Sequence, residues 1–162
     1  IETTNLCRCG RKGFLVEKNW FTLAINRLRN YPIGDKMTQQ IIVDSCGWVA
    51  IIDANINFEL ELERMFGTFE LILLDSVLIE LESLEIERPK RKSLLLELLK
   101  QKSVPFQANE QVHTDDVIFD LANSYGHAVL TVDKDLKKRL YQLGITVVEV
   151  VKGQHLKLID GI

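Results

Sequence analysis

The apolar residues of this chain fall into short runs separated by amphipathic segments. Strand-length runs rich in Ile, Val and Leu predict five β-strands: Gln40–Asp44, Glu70–Leu74, Val104–Gln107, Ala128–Val132 and Thr146–Val151. Helical spacing and helix-stopping glycines between them predict a helical turn over Trp48–Ile52 and helices over Asn57–Phe66, Asp75–Leu84, Ser93–Lys102, Thr114–Tyr125 and Lys134–Leu143. The tail, Leu156–Ile159, is long enough for a further short edge strand.

The predicted strands are continuous apolar runs and do not alternate with polar residues. Such runs are typical of a parallel sheet that helices cover on both faces. We therefore predict an α/β fold of three layers, with a central parallel sheet of about five strands in the order 3-2-1-4-5. In sheets of this kind, ligands bind beyond the carboxyl ends of the strands, where the strand order reverses. Here the first and fourth strands would meet at that point.

The first 37 residues differ from the rest of the chain. Their periodicity is poor apart from a helix-like stretch around Trp20–Leu28, and the chain begins with Ile. Residues 1–36 carry a net charge of +4, which leaves −7 for the remainder of a chain whose total is −3. We interpret residues 1–37 as a basic appendage or the remnant of a fragment, and residues 38–162 as the folded domain. Cys7 and Cys9 have too few companion ligands to predict a zinc site.

Composition limits the classes of protein to consider. With 162 residues, 46% of them hydrophobic, the chain can bury one core without disulfides. No apolar run approaches the roughly 20 residues that cross a bilayer, and three cysteines do not suggest a secreted disulfide framework. We expect a soluble cytoplasmic protein. There is no glycine-rich phosphate-binding motif, which argues against a nucleotide-binding fold.

Acidic residues stand at the predicted strand ends. The first strand ends in an acid, the second is followed by two, a pair opens the helix before the fourth, and two follow the fourth: Asp44, Asp75, Glu80, Asp115, Asp116, Asp133 and Asp135. Because these ends share one edge of a parallel sheet, we expect the side chains to gather there. Carboxylates a few ångströms apart cannot all stay ionised unless a cation offsets them. Oxygen ligands of this kind favour Mg²⁺ or Mn²⁺ over zinc.

Structural explanations compete for several of these acids. Asp75 is more readily explained as a helix cap, and Asp133 would also cap the helix that follows it. Asp115 and Asp116 suit the positive end of a helix dipole. Asp44 is the hardest to explain structurally, because an acid that closes a buried strand must be paired, hydrated or bound to metal.

Four segments together resemble the motifs of PIN-domain ribonucleases: Val43-Asp44-Ser45, the run from Asp75 to Leu84, Asp115-Asp116-Val117-Ile118, and the run from Leu130 to Leu140. The resemblance extends from about Thr38 to Leu158. The last motif is most similar to archaeal and eukaryotic PIN proteins that process ribosomal RNA, while the toxin ribonucleases of toxin–antitoxin pairs share the same four acids.

The resemblance implies a PIN-like fold and a metal-dependent endoribonuclease that uses Mg²⁺ or Mn²⁺. The family's four acids, which are both metal ligands and catalytic residues, fall on Asp44, Glu80, Asp115 and Asp133. Auxiliary roles fall on Ser45, on Asp116 as a one-residue alternative to Asp115, and on Asp135. The implied partners are single-stranded or exposed RNA and, further, a second copy of the chain, an antitoxin or a ribosome-assembly complex.

Three features leave the function open at this point. A basic cluster, Lys134, Lys137, Lys138 and Arg139, could bind RNA or form an ordinary solvated face. Trp48 could stack on a base, although a Trp is more commonly part of a core. The second hypothesis is a module that binds RNA or a protein in an RNA-processing or ribosome-assembly complex with little or no catalysis.

Overall fold

The computed structural model describes residues 38–88, 93–108, 112–151 and 155–160. Within these ranges the strands are β1 (Gln39–Val43), β2 (Phe69–Leu74), β3 (Ser103–Phe106), β4 (Ala128–Leu130), β5 (Val147–Val151) and β6 (His155–Ile159). The helices are α1 (Ser45–Ala54), α2 (Phe58–Phe66), α3 (Asp75–Ile86), α4 (Leu96–Lys102), α5 (Thr114–Tyr125) and α6 (Lys134–Gln142). None of these helices is both long enough and apolar enough to cross a membrane.

The strands form one sheet in the order β3-β2-β1-β4-β5-β6. All pairs are parallel except β5 and β6, which are antiparallel. The α/β fold, the order of the first five strands and the extra edge strand are therefore as predicted, and the sheet is mixed only at that edge. The order reverses at β1, so the first and fourth strands are neighbours, with Ile41 paired to Leu71 on one side and to Ala128 on the other.

The core lies on both faces of the central strands. Ile41, Ile42 and Val43 of β1 are fully buried, as expected for a strand covered by helices on both sides. Trp48 is also fully buried; its indole N–H donates to the Leu94 carbonyl at 2.7 Å, and its ring packs edge-to-face on Phe58. Trp48 is thus a core residue, as is more common for a Trp, and the alternative that it stacks on an RNA base is wrong.

Two predicted helix starts and one expected cap differ in the structure. The turn at Trp48–Ile52 is part of a full helix that begins at Ser45. Asp75 is the first residue of α3, and Leu74 holds the cap position. The carboxylate of Asp75 instead accepts hydrogen bonds from the N–H groups of Ser76 and Ala108. The helix predicted from Ser93 begins only at Leu96, since Leu95 has a left-handed conformation with φ of 50°.

Some sequence predictions lie outside the described residues. These are the helix-like stretch at Trp20–Leu28, the cysteines Cys7 and Cys9, and the basic segment Lys90–Lys92. The assignment of residues 1–37 as an appendage stays a prediction.

Candidate active site

Asp44 follows β1 directly and is 5% exposed. Its backbone N–H donates to the carbonyl of Leu130 at 3.1 Å, which extends the β1–β4 pairing to the end of the strand. Its Oδ2 atom accepts hydrogen bonds from Thr131 Oγ1 at 2.6 Å and from Cys46 Sγ at 2.7 Å. A buried carboxylate is costly unless hydrogen bonds or a cation compensate it, and these two bonds supply part of that compensation.

Thr131 connects the first acid to the fourth. Its side chain is fully buried, and its hydroxyl donates to Asp44 while accepting the backbone N–H of Asp133 at 3.1 Å. A single hydroxyl therefore fixes the Asp44 side chain and the backbone of Asp133 at the point where the strand order reverses.

Gly47 allows the close approach that places Asp44. A Cβ atom built on Gly47 would lie only 2.4 Å from the carbonyl oxygen of Leu130, so only a glycine lets the first turn of α1 lie against the end of β4. Since Asp44 immediately precedes α1, the same approach brings its carboxylate within reach of Thr131.

Glu80 lies on α3 and joins two other parts of the site. Its Oε2 accepts a 2.8 Å hydrogen bond from Ser45, the neighbour of Asp44. Its Oε1 accepts a 3.1 Å hydrogen bond from Thr114, the neighbour of Asp115. These partners explain why an acid interrupts the apolar run of this helix, and they place Glu80 between the first and third acids.

Asp115 lies in the first turn of α5, where the negative charges of the other three acids repel its own charge. Its pKa is raised, first by partial burial and then by the negative charges of Asp44, Asp133 and Glu80, while His113 opposes the rise. Like charges raise the pKa of a carboxyl only when they are close. The four acids therefore share one edge of the sheet.

Asp133 caps the helix that follows it. Its Oδ1 accepts the N–H groups of Asp135 at 2.8 Å and Leu136 at 2.9 Å. Asp133 is therefore a helix cap, as anticipated from the sequence. Both capping bonds end on Oδ1, so they do not occupy Oδ2, which could still bind a metal ion.

The family match covers most of this architecture. Residues 41–153 match the PIN-like domain family. The chain belongs to that family. A solved structure described as "Structure of the PIN domain endonuclease Utp24" superposes with a TM-score of 0.64 at 21% identity, over 76% of this chain and 95% of that one. At that identity the likeness shows the fold. No curated protein matches the chain.

The donor set of this PIN-like domain fits a hard divalent cation. All four acids present carboxylate oxygens, the ligands that Mg²⁺ and Mn²⁺ prefer, and their mutual repulsion raises the pKa of Asp115. Within the described residues, however, no three Asp, Glu, His or Cys side chains converge closely enough to hold a metal ion. The acids are gathered at one edge in this conformation, but they do not meet at one point.

Several of the predicted auxiliary and basic residues are engaged elsewhere. Ser45 binds Glu80 and not the first acid. Asp116 pairs with Arg139 at 2.7 Å, and the Arg139 guanidinium also lies 4.5 Å from the centre of the Phe119 ring, which ties α5 to α6. Lys137 pairs with Glu149. Asp135 is exposed in the first turn of α6, where it suits the helix dipole.

Sequence reasoning missed Thr131, Thr114 and Gly47 as parts of the site. Thr131 left one signal, because a hydroxyl stands at the end of an otherwise apolar strand two residues before an acid. Thr114 and Gly47 left none, since their partners Glu80 and Leu130 are distant in the chain.

Proposed function

We propose that this PIN-like domain is an endoribonuclease that hydrolyses RNA phosphodiester bonds with Mg²⁺ or Mn²⁺. The observation that carries the proposal is the gathering of four acids from four parts of the fold, which the hydrogen bonds of Thr131, Ser45 and Thr114 hold at one edge of the sheet. The raised pKa of Asp115 reflects this crowding. A protein gains nothing in stability from such crowding, whereas a cation site requires it. The description of Utp24 as a PIN domain endonuclease supports internal cleavage.

In this proposal Asp44 and Asp133 hold the ion, and Asp115 and Glu80 complete its shell or orient the attacking water. A divalent ion at such a site lowers the pKa of water and stabilises the charge of an in-line displacement. Thr131 keeps the Asp44 carboxylate in one orientation through its 2.6 Å hydrogen bond. The repulsion that raises the pKa of Asp115 in the absence of an ion is relieved when a cation binds between the acids.

Substitution of the two acids at the strand reversal tests the proposal. Asp44→Asn and Asp133→Asn should each lower Mn²⁺-dependent cleavage of a single-stranded RNA by about a hundredfold or more, given that losing an outer partner of a metal site alone costs 10–100-fold. Asp120→Asn is the matched control, because Asp120 is an exposed acid on α5 that contributes no charge effect at Asp115. EDTA should stop cleavage by the wild type. Cleavage that persists in EDTA, or in both variants, would refute the metal role.

A binding module with little catalysis is the second candidate. It is favoured by one observation, namely that the acids do not converge as a metal cluster within the described residues. Tight RNA binding by the wild type, with no cleavage in Mg²⁺ or Mn²⁺, would support this alternative. The cytoplasmic location, a homodimer, and an antitoxin or ribosome-assembly partner remain predictions from the sequence.

A further inference from the structure

An open groove of about 270 Å³ runs along α6. It is lined by Lys134, Lys137, Lys138 and Tyr141 of α6 and by Val147 and Ile159 of the β5–β6 edge. Lys134 follows Asp133 directly in the chain. One lining residue is therefore the neighbour in sequence of a proposed catalytic acid, and the other lining residues of α6, up to Tyr141, lie further along that helix.

Two of its lysines are free to bind anions. Lys137 is neutralised by Glu149. Lys134 and Lys138 are exposed, and neither forms an ion pair with any part of the chain that the structure describes. Residues four apart lie one above the other on a helix, so these two ammonium groups belong to the same face.

An aromatic ring continues that face. Tyr141 is 39% exposed and lies seven residues after Lys134, which is two helical turns and roughly 10 Å along the axis. Val147 and Ile159 provide an apolar floor beside it. Glu149 is paired with Lys137, and Asp160, which follows Ile159 in the chain, accepts a hydrogen bond from the hydroxyl of Thr146 at 3.0 Å.

We propose that this groove binds the single-stranded RNA that flanks the cleaved bond. Lys134 and Lys138 contact successive phosphates, and Tyr141 stacks on a base. Positive charge along the backbone combined with an aromatic platform is the chemistry that recognises single strands, because the bases of a duplex are already stacked inside it. The inference rests on the proposed function, since it assumes that RNA reaches Asp133.

Binding measured without divalent ions tests the groove separately from catalysis. The 162-residue chain is titrated in EDTA with a fluorescently labelled oligouridylate over a range of salt concentrations. In the double variant Lys134→Ala/Lys138→Ala, loss of two phosphate contacts should reduce the magnitude of the log–log salt slope by about 1.4, at about 0.7 per contact for single strands. Tyr141→Ala should weaken binding on the order of tenfold, as expected for one stacked base, and Tyr141→Phe should not.

The control is Lys100→Ala/Lys102→Ala. It removes two lysines from α4, which leads into β3 at the opposite edge of the sheet. The proposal is overturned if this control lowers the salt slope as much as the groove variant, if the groove variant binds like the wild type, or if the wild type does not bind the oligonucleotide. A duplex that binds the wild type as tightly as the single strand, with no effect of Tyr141→Ala, would also overturn it.

The two proposals can fail independently. If the wild type cleaves RNA with Mn²⁺ while the groove variants keep normal binding and cleavage, the groove assignment is wrong and the proposed function stands. If no protein cleaves RNA but the groove variants lose binding as predicted, the groove assignment holds as an RNA-binding surface and the proposed catalysis is wrong.

Discussion

Thr131 donates a 2.6 Å hydrogen bond to the carboxylate of Asp44, and both side chains are buried. This bond crosses from the end of β4 to the end of β1 and joins two residues that are 87 positions apart in the sequence. The same hydroxyl accepts the N–H of Asp133. Two of the four acids therefore depend on one threonine for their placement.

Thr131→Val should damage the site more than the fold. It replaces the hydroxyl by a methyl group of similar size and leaves the Asp44 carboxylate short of one partner, which costs about 1–3 kcal/mol for a buried group. RNA cleavage should fall roughly 10–100-fold, the usual loss for a residue that orients a metal ligand. Thr131→Ser keeps the hydroxyl and should keep most of the activity. Equal activity in the Val and Ser variants would show that the bond does not position Asp44.

Gly47→Ala should reduce both stability and cleavage. Its added Cβ would lie 2.4 Å from the Leu130 carbonyl, so α1 must shift away from β4 at a cost of about 1–3 kcal/mol. Chemical denaturation and RNA cleavage are measured together. Gly67→Ala is the control, because its Cβ meets open space and its cost, on the order of 1 kcal/mol, arises only from the positive φ. The idea fails if Gly47→Ala loses stability without a larger loss of cleavage than Gly67→Ala.

His127 should make the protein less stable in mild acid. Its ring is buried against Tyr125, and burial lowers its pKa from the ordinary 6.5 because the charged ring loses hydration. The unfolded chain then binds the proton at a higher pH than the folded one. The free energy of unfolding is therefore highest above pH 6.5 and falls as the pH drops below that value.

Urea unfolding measured from about pH 8 to about pH 5, the range in which histidine titrates, checks this effect. His127→Gln should flatten the decline relative to the wild type, and a substitution of the exposed His155 should not. Identical pH profiles for the wild type and His127→Gln would contradict the predicted linkage.

Asp115→Asn should stabilise the protein at neutral pH when no divalent ion is present. The raised pKa of Asp115 means that the folded chain keeps this proton at a pH where the unfolded chain has lost it. Stability is therefore lost as the pH rises from the ordinary value of 3.8 through the folded pKa, and the amide removes that loss. Thermal unfolding in EDTA should give a higher Tm for Asp115→Asn than for the wild type, with Asp120→Asn unchanged. A lower Tm would mean that the carboxylate is stabilising and not repelled.

The fold was predictable because its signals are local. The buried run Ile41–Val43 is typical of a central parallel strand, and Gly126 and Gly144 follow helices at positions with a positive φ. Boundaries failed where tertiary contacts overrode propensity. Leu94, for example, donates its N–H to the side chain of Glu85, and the left-handed Leu95 follows it, so α4 starts later than its pattern predicts.

The sequence could propose the acids because Asp44 and Asp133 follow buried strands, while Glu80 and Asp115 lie in the helices that follow β2 and precede β4. Their partners were not predictable, since these depend on strand register and helix packing. Glu80 meets Ser45 and Thr114, which lie 35 positions before it and 34 after it. The partners of the basic cluster were not predictable for the same reason. Only the structure shows that Lys137 pairs with Glu149 and Arg139 with Asp116, and that Lys134 and Lys138 form no ion pair with the described residues.

The central claim is that four carboxylates form one divalent-cation site, and Mn²⁺ titration tests it most directly. Calorimetric titration of the wild type should detect saturable binding. Mn²⁺ at 100 times its Kd should raise the free energy of unfolding by about 2.7 kcal/mol, and the Tm should rise accordingly. Asp44→Asn and Asp115→Asn should lose both effects, while Asp120→Asn keeps them. Binding that is absent from the wild type, or equally strong in all four proteins, would contradict the account.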